Sequence, residues 1–231
     1  MSTDDRYGFG RRLPDLPFLE HPLLGDRRRP TTIALAYLGV LVGLFALSYA
    51  GTTVTVGGST LDTVTARFDT VSTYLIALAT ATIAIVPFVY AAWNGGPVLA
   101  AAMPLVPVAL GDLAAGQYVL RTDTAIALTV AGSAAALALY ATDVRRTGTL
   151  WPPRGAAIDT DRLLVVTVTV VVTAVGVGQF VAGAPPRSLE WYAPFSALWL
   201  VPTAVVGAYW VQTLRASVAS RTDRERADSE P

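Results

Sequence analysis

Six apolar stretches, each 18 residues or longer, dominate this chain of 231 residues: 31–50, 72–93, 97–120, 124–141, 163–184 and 191–214. A hydrocarbon core about 30 Å thick is crossed by about 20 apolar residues at ~1.5 Å of rise each. A helix satisfies its own backbone polar groups there, which an irregular or open-edged segment cannot do. The expected fold is therefore all-α, a polytopic transmembrane helical bundle of about six spans. Composition agrees, with 53% hydrophobic and 15% charged residues, where soluble domains carry about 25% charge.

The connections suit such a bundle. Asn94-Gly95-Gly96-Pro97 ends one helix with residues that tolerate positive φ and starts the next with a pre-set proline. Arg121-Thr122-Asp123 makes a minimal turn, and Pro185-Pro186 halts the fifth stretch. Short links of this kind make antiparallel neighbours. Between the first two stretches, Leu61, Val64, Phe68 and Val71 recur at helical spacing and predict a surface helix running into the second span. A two-strand hairpin around Gly57-Gly58 is the alternative.

Arginine sets the expected orientation. All 17 cations are arginine. With the N-terminus inside, fourteen fall on the cytoplasmic side, in residues 1–30, 142–162 and 215–231, and only Arg67, Arg121 and Arg187 fall outside. Such asymmetry predicts an N-in, C-in topology in a cell membrane, with both termini cytoplasmic. Deleting one span would reverse every later loop and destroy the bias. The absence of lysine and the abundance of Ala, Val and Thr suggest a GC-rich, prokaryotic genome.

Three regions follow. Residues 1–30 form a cytoplasmic Pro/Arg-rich segment, 31–214 the six-helix domain, and 215–231 a cytoplasmic tail expected to be disordered because its charges balance and it holds few apolar residues. In the first region Pro14-Asp15-Leu16-Pro17 fits a PxxP docking motif, but a turn-rich stretch lying along the bundle is the better reading. The arginines of 142–162 could bind anionic lipid headgroups. Their effect on topology explains them equally well.

Chemistry has few carriers. The chain has no cysteine, so disulfides and thiolate metal sites are excluded, and its one histidine, His21, lies outside every apolar stretch. No metal or other cofactor is expected, nor a nucleic-acid partner. Asp112 is the one charged residue well inside a stretch, and Gln179 is the clearest polar residue of the fifth. Intramembrane carboxylates are costly and point to function by default. Pro104 and Pro107 lie just before Asp112, and a broken helix beside a carboxylate is how some transporters build ion sites. An aspartyl dyad needs a second carboxylate close by. Asp143 lies at the other end of the fourth stretch, ~20 Å away by helix rise. An enzyme is the least expected class.

Gly39 and Gly43 form a GxxxG that permits close helix packing, and Ala131-Gly132-Ser133-Ala134 makes a second small-residue face. Two functions stay open. One is a non-enzymatic structural or accessory membrane subunit, with a membrane-protein partner or a second copy of itself. The other is a small permease or proton-coupled carrier using Asp112. Polar groups lining one common cavity would favour the carrier; a dry core with an exposed small-residue groove would favour the subunit.

Overall fold

Proline and glycine place the breaks in this helical chain. The computed structural model describes residues 21–53, 62–114, 116, 119–150 and 159–229. Within them the chain forms α1 (Arg28–Thr53), α2 (Asp62–Ala84), α3 (Val86–Asn94), α4 (Pro97–Ala114), α5 (Thr122–Thr147) and α6 (Thr160–Gly183). Then come α7 (Pro186–Ser196), a 3-10 turn (Ala197–Trp199) and α8 (Leu200–Ser229). No strand occurs among the described residues, so the all-α expectation holds.

Each of the six apolar stretches is helical, but they differ as spans. Four helical segments are long and apolar enough to cross a membrane, and α2 with α3 gives a fifth if that bent pair counts as one. The bend is 49° and has a local cause. Pro87 lacks the N–H that would bond the carbonyl four residues earlier, and Phe88 donates at i−3 to the Ile85 carbonyl, which it shares with Val89. The third stretch is shorter than the sequence suggested. It was expected to reach residue 120, yet α4 ends at Ala114, and Gly116 follows at φ 62° with its N–H on the Leu113 carbonyl. A glycine in the left-handed region is a common helix stop. The sequence left open whether Pro104 and Pro107 break this helix. Both lie buried inside a continuous α4, as packing against neighbours allows.

Helix α5 is the hub, packing against α3, α4, α6, α7 and α8. Its buried face is built of small residues, among them Ala127, Ala131, Gly132, Ser133, Ala134, Ala135 and Ala138. Small side chains let neighbouring backbones approach closely. At Gly132 an added Cβ would lie 2.7 Å from Thr173 Oγ1 of α6. Of the apolar window of α5, 67% is buried, against 22% for that of α6. The outer helices therefore turn apolar surface outward.

Two further outcomes bear on the flanking regions. Residues 54–61 and 1–20 lie outside the described residues, and so do the PxxP motif and the proposed hairpin turn; from Asp62 the chain is already helical. The tail from Arg215, expected to be disordered, continues α8 to Ser229. No proline or glycine interrupts 215–229, and Arg221/Glu225 and Arg224/Asp228 stand at i,i+4 spacing, which supports a helix.

Candidate functional site

The most developed polar construction lies at the end of the bundle where residues 21–27 meet the α3–α4 turn. Gly95 takes the left-handed conformation that this turn requires, at φ 69°. A side chain at Gly96 would run into the Leu24 carbonyl, so the N-terminal segment seats directly on backbone. The Val98 N–H donates to the Leu23 carbonyl at 3.1 Å, and the Asp26 N–H to the Asn94 carbonyl at 2.8 Å. Asn94 is fully buried. Its amide donates to Thr31 Oγ1 at 2.8 Å and to Tyr90 Oη at 2.9 Å, while its Oδ1 accepts from the Arg27 N–H at 2.9 Å. Every polar atom of this side chain is used. That is what burial of an amide demands.

Asp26 ties this segment to the far side of the bundle. Its Oδ2 accepts from Arg145 of α5 at 2.9 Å, and its Oδ1 from Arg162 of α6 at 3.0 Å. Arg162 is buried, also donates to the Pro22 carbonyl at 2.9 Å, and lies 3.5 Å from Asp159. Arg145 reaches the Ala92 carbonyl as well. One carboxylate thus joins α1's lead-in to two helices that follow it by more than 100 residues. Reading the residues in order singles out none of Asp26, Asn94 and Arg162 as a site. The available signals were a lone Gly-Asp before the arginine run, and an Asp three residues ahead of Arg162 as an N-cap; Asp159 does cap α6 by accepting from the Arg162 N–H.

The residues selected from sequence lie elsewhere. Asp112 is half-buried, two residues from the end of α4, and accepts a hydrogen bond from Thr124 Oγ1 of α5 at 3.4 Å. With α4 shortened, it sits ~10 Å from that helix's midpoint, nearer its end than the longer span implied. Gln179 is exposed and lines an open cavity of about 780 Å³ at the same end, beside Arg121, Asp123, Phe180 and Ser188. Asp112 does not line that cavity, and among the described residues no hydrogen bond joins it to Gln179. Beneath the cavity floor, Tyr192 Oη pairs with Thr129 Oγ1 at 2.8 Å and accepts from Trp199 Nε1 at 3.0 Å. Its ring meets Phe180 edge-on at 5.6 Å. This is a polar contact inside an apolar cluster, fully paired.

Gly39 and Gly43 are exposed on α1, and a Cβ built at either meets no atom within 4 Å. They make no close contact among the described residues. Among the described residues no three His, Asp or Glu side chains come together as a metal site would need. Compared with known protein families, curated proteins and solved structures, the chain matches none of them.

Proposed function

We propose that this chain is an integral membrane protein with six spans and both termini in the cytoplasm, acting as a non-enzymatic structural or accessory subunit. The observation that carries the membrane reading is the outward face of α6. Leu164, Val168, Val171, Val172 and Val175 are all exposed, while Val166, Thr173, Val177 and Phe180 turn inward. Water would penalise so large a contiguous apolar patch; lipid does not. Helix α4, at 18 residues, spans ~27 Å, close to the ~30 Å core, a mismatch a bilayer absorbs by local thinning.

The choice between subunit and carrier rests on where polarity lies. The buried face of α5 is alanine-rich, Asp112 is absent from the cavity that Gln179 lines, and Gly39 and Gly43 present an open small-residue face. That pattern supports an interaction role. The Asp112–Thr124 pair keeps the carrier as second reading, because a carboxylate near a span can exchange a proton. The test has two parts. The protein should stay with membranes after an alkaline wash, and its detergent-extracted form should run as a complex that Gly39→Ile or Gly43→Ile dissociates. Release by the wash would remove the membrane reading. A proton flux in liposomes that Asp112→Asn abolishes would replace the subunit by the carrier.

A further inference from the structure

The polar construction around Asp26 also frames a cavity. It measures about 450 Å³ and is lined by Asp26, Arg27, Arg145, Arg146, Asp159 and Arg162, with Pro22 at one side. Four guanidinium groups face two carboxylates, and both carboxylates are already committed. Asp26 holds Arg145 and Arg162 through its two oxygens, and Asp159 holds Arg162. Arg27 and Arg146 line the same space and make no ion pair among the described residues. Among the described residues, the cavity therefore carries two positive charges in excess, on groups that cannot lose their protons.

We infer that this cavity binds a phosphate-bearing anion, held between Arg27 and Arg146 against the fixed Arg145–Asp26–Arg162 frame. The frame orders its surroundings in advance. The Arg27 backbone is tied to Asn94, and Arg146 follows Arg145 on the last turn of α5, so neither guanidinium stem has far to travel. Phosphate oxygens match the planar guanidinium fork, which makes arginine pairs selective for them. Under the six-span reading, this end of the bundle is the arginine-rich cytoplasmic border, where the phosphates of anionic lipids lie. A phospholipid headgroup and free phosphate share this chemistry. Only the lipid source rests on the membrane reading, and that reading fails separately, through membrane extraction and labelling. The competing explanation is that Arg146 only complements the α5 C-terminus and sets topology.

The experiment uses the full chain in a neutral detergent and measures binding of dioleoylphosphatidylglycerol, dioleoylphosphatidylcholine and inorganic phosphate. The double variant Arg27→Gln/Arg146→Gln is compared with Arg215→Gln/Arg221→Gln, which removes the same charge from α8. Wild type should bind phosphatidylglycerol in preference to phosphatidylcholine if the source is a headgroup, or inorganic phosphate itself if the source is soluble. In either case the cavity variant should bind about tenfold more weakly or worse, and the α8 variant as wild type. If the double variant fails to fold, Arg146→Gln alone, at an exposed position, takes its place. Equal loss in both variants, no loss in the cavity variant, or no binding by wild type overturns the assignment.

Discussion

Ser133 of α5 donates its hydroxyl, at 3.0 Å, to the carbonyl of Leu198, four residues before Pro202 of α8. A proline cannot bond the carbonyl four residues before it, and in an apolar surrounding an unsatisfied carbonyl is costly. Here the Leu200 N–H and, from the adjacent helix, the Ser133 hydroxyl both serve the Leu198 carbonyl in place of the absent proline N–H. The 3-10 turn Ala197–Trp199 precedes the same proline, so that turn and the serine on the hub helix form one unit. Ser133→Ala should lower stability by about 0.5–2 kcal/mol. Ser196→Ala, whose exposed hydroxyl serves only its own helix, should change little. Thermal unfolding in detergent compares them, and equal melting of Ser133→Ala and wild type would refute the pairing.

Gly95 and Gly148 share a left-handed backbone, at φ 69° and 70°, but not their surroundings. A Cβ at Gly95 would collide with Thr142 Oγ1 and the Arg145 guanidinium, while at Gly148 it meets nothing. Alanine should cost ~1–2 kcal/mol at Gly148 from conformation alone. It should cost distinctly more at Gly95, because the Thr142–Arg145–Asp26 contacts must shift. Unfolding measured on both variants isolates the packing contribution. Equal losses would mean that the polar junction yields freely.

Asp112→Asn keeps the shape that meets Thr124 and removes a proton-carrying group. On the subunit reading, this variant folds, inserts and associates as wild type, whereas Asp112→Leu loses about 1 kcal/mol or more by leaving Thr124 without its acceptor. Yield, elution profile and melting temperature read both changes. A destabilised Asn variant alongside a normal Leu variant would contradict the proposed contact.

Isoleucine at Gly39 or Gly43 meets open space among the described residues, so it should leave the melting temperature of the isolated chain within about 2 °C, as expected of surface changes of under ±0.5 kcal/mol. Only association should suffer. The expected pair of results is an unchanged melt and a smaller particle by light scattering. A strongly lowered melt with unchanged particle size would place those glycines inside the fold.

How much of this was legible beforehand depends on the kind of signal. Apolar run length located the helices, four of them, or five with the bent pair, long and apolar enough to cross a membrane, because hydrophobic length is a local property of the chain. The Asn94-Gly95-Gly96-Pro97 turn was equally local, and the structure has it as read, with Gly95 at positive φ and α4 starting at Pro97. The early end of α4 was not, because the run stays apolar past Gly116 and only the stop geometry ends it. The junction at Asp26 was invisible for a deeper reason. Its partners, Arg145 and Arg162, lie 119 and 136 residues away, and nothing in a single sequence pairs distant charges. Their arginines read as topological signals, and one residue can serve both purposes. Asp112 and Gln179 were selected by depth alone, and depth does not say which groups share a cavity.

The central claim is that the arginine-rich and arginine-poor ends of this bundle face opposite sides of a membrane. The chain has no cysteine of its own, so single cysteines report cleanly. Leu150→Cys lies exposed just beyond α5 and avoids the positive φ of Gly148; Ser188→Cys lies in the first turn of α7, at the opposite end. In intact cells a membrane-impermeant maleimide should label Ser188→Cys and leave Leu150→Cys unlabelled until the membrane is permeabilised. Labelling of Leu150→Cys from outside, or of both positions from the same side, would contradict the six-span, N-in arrangement.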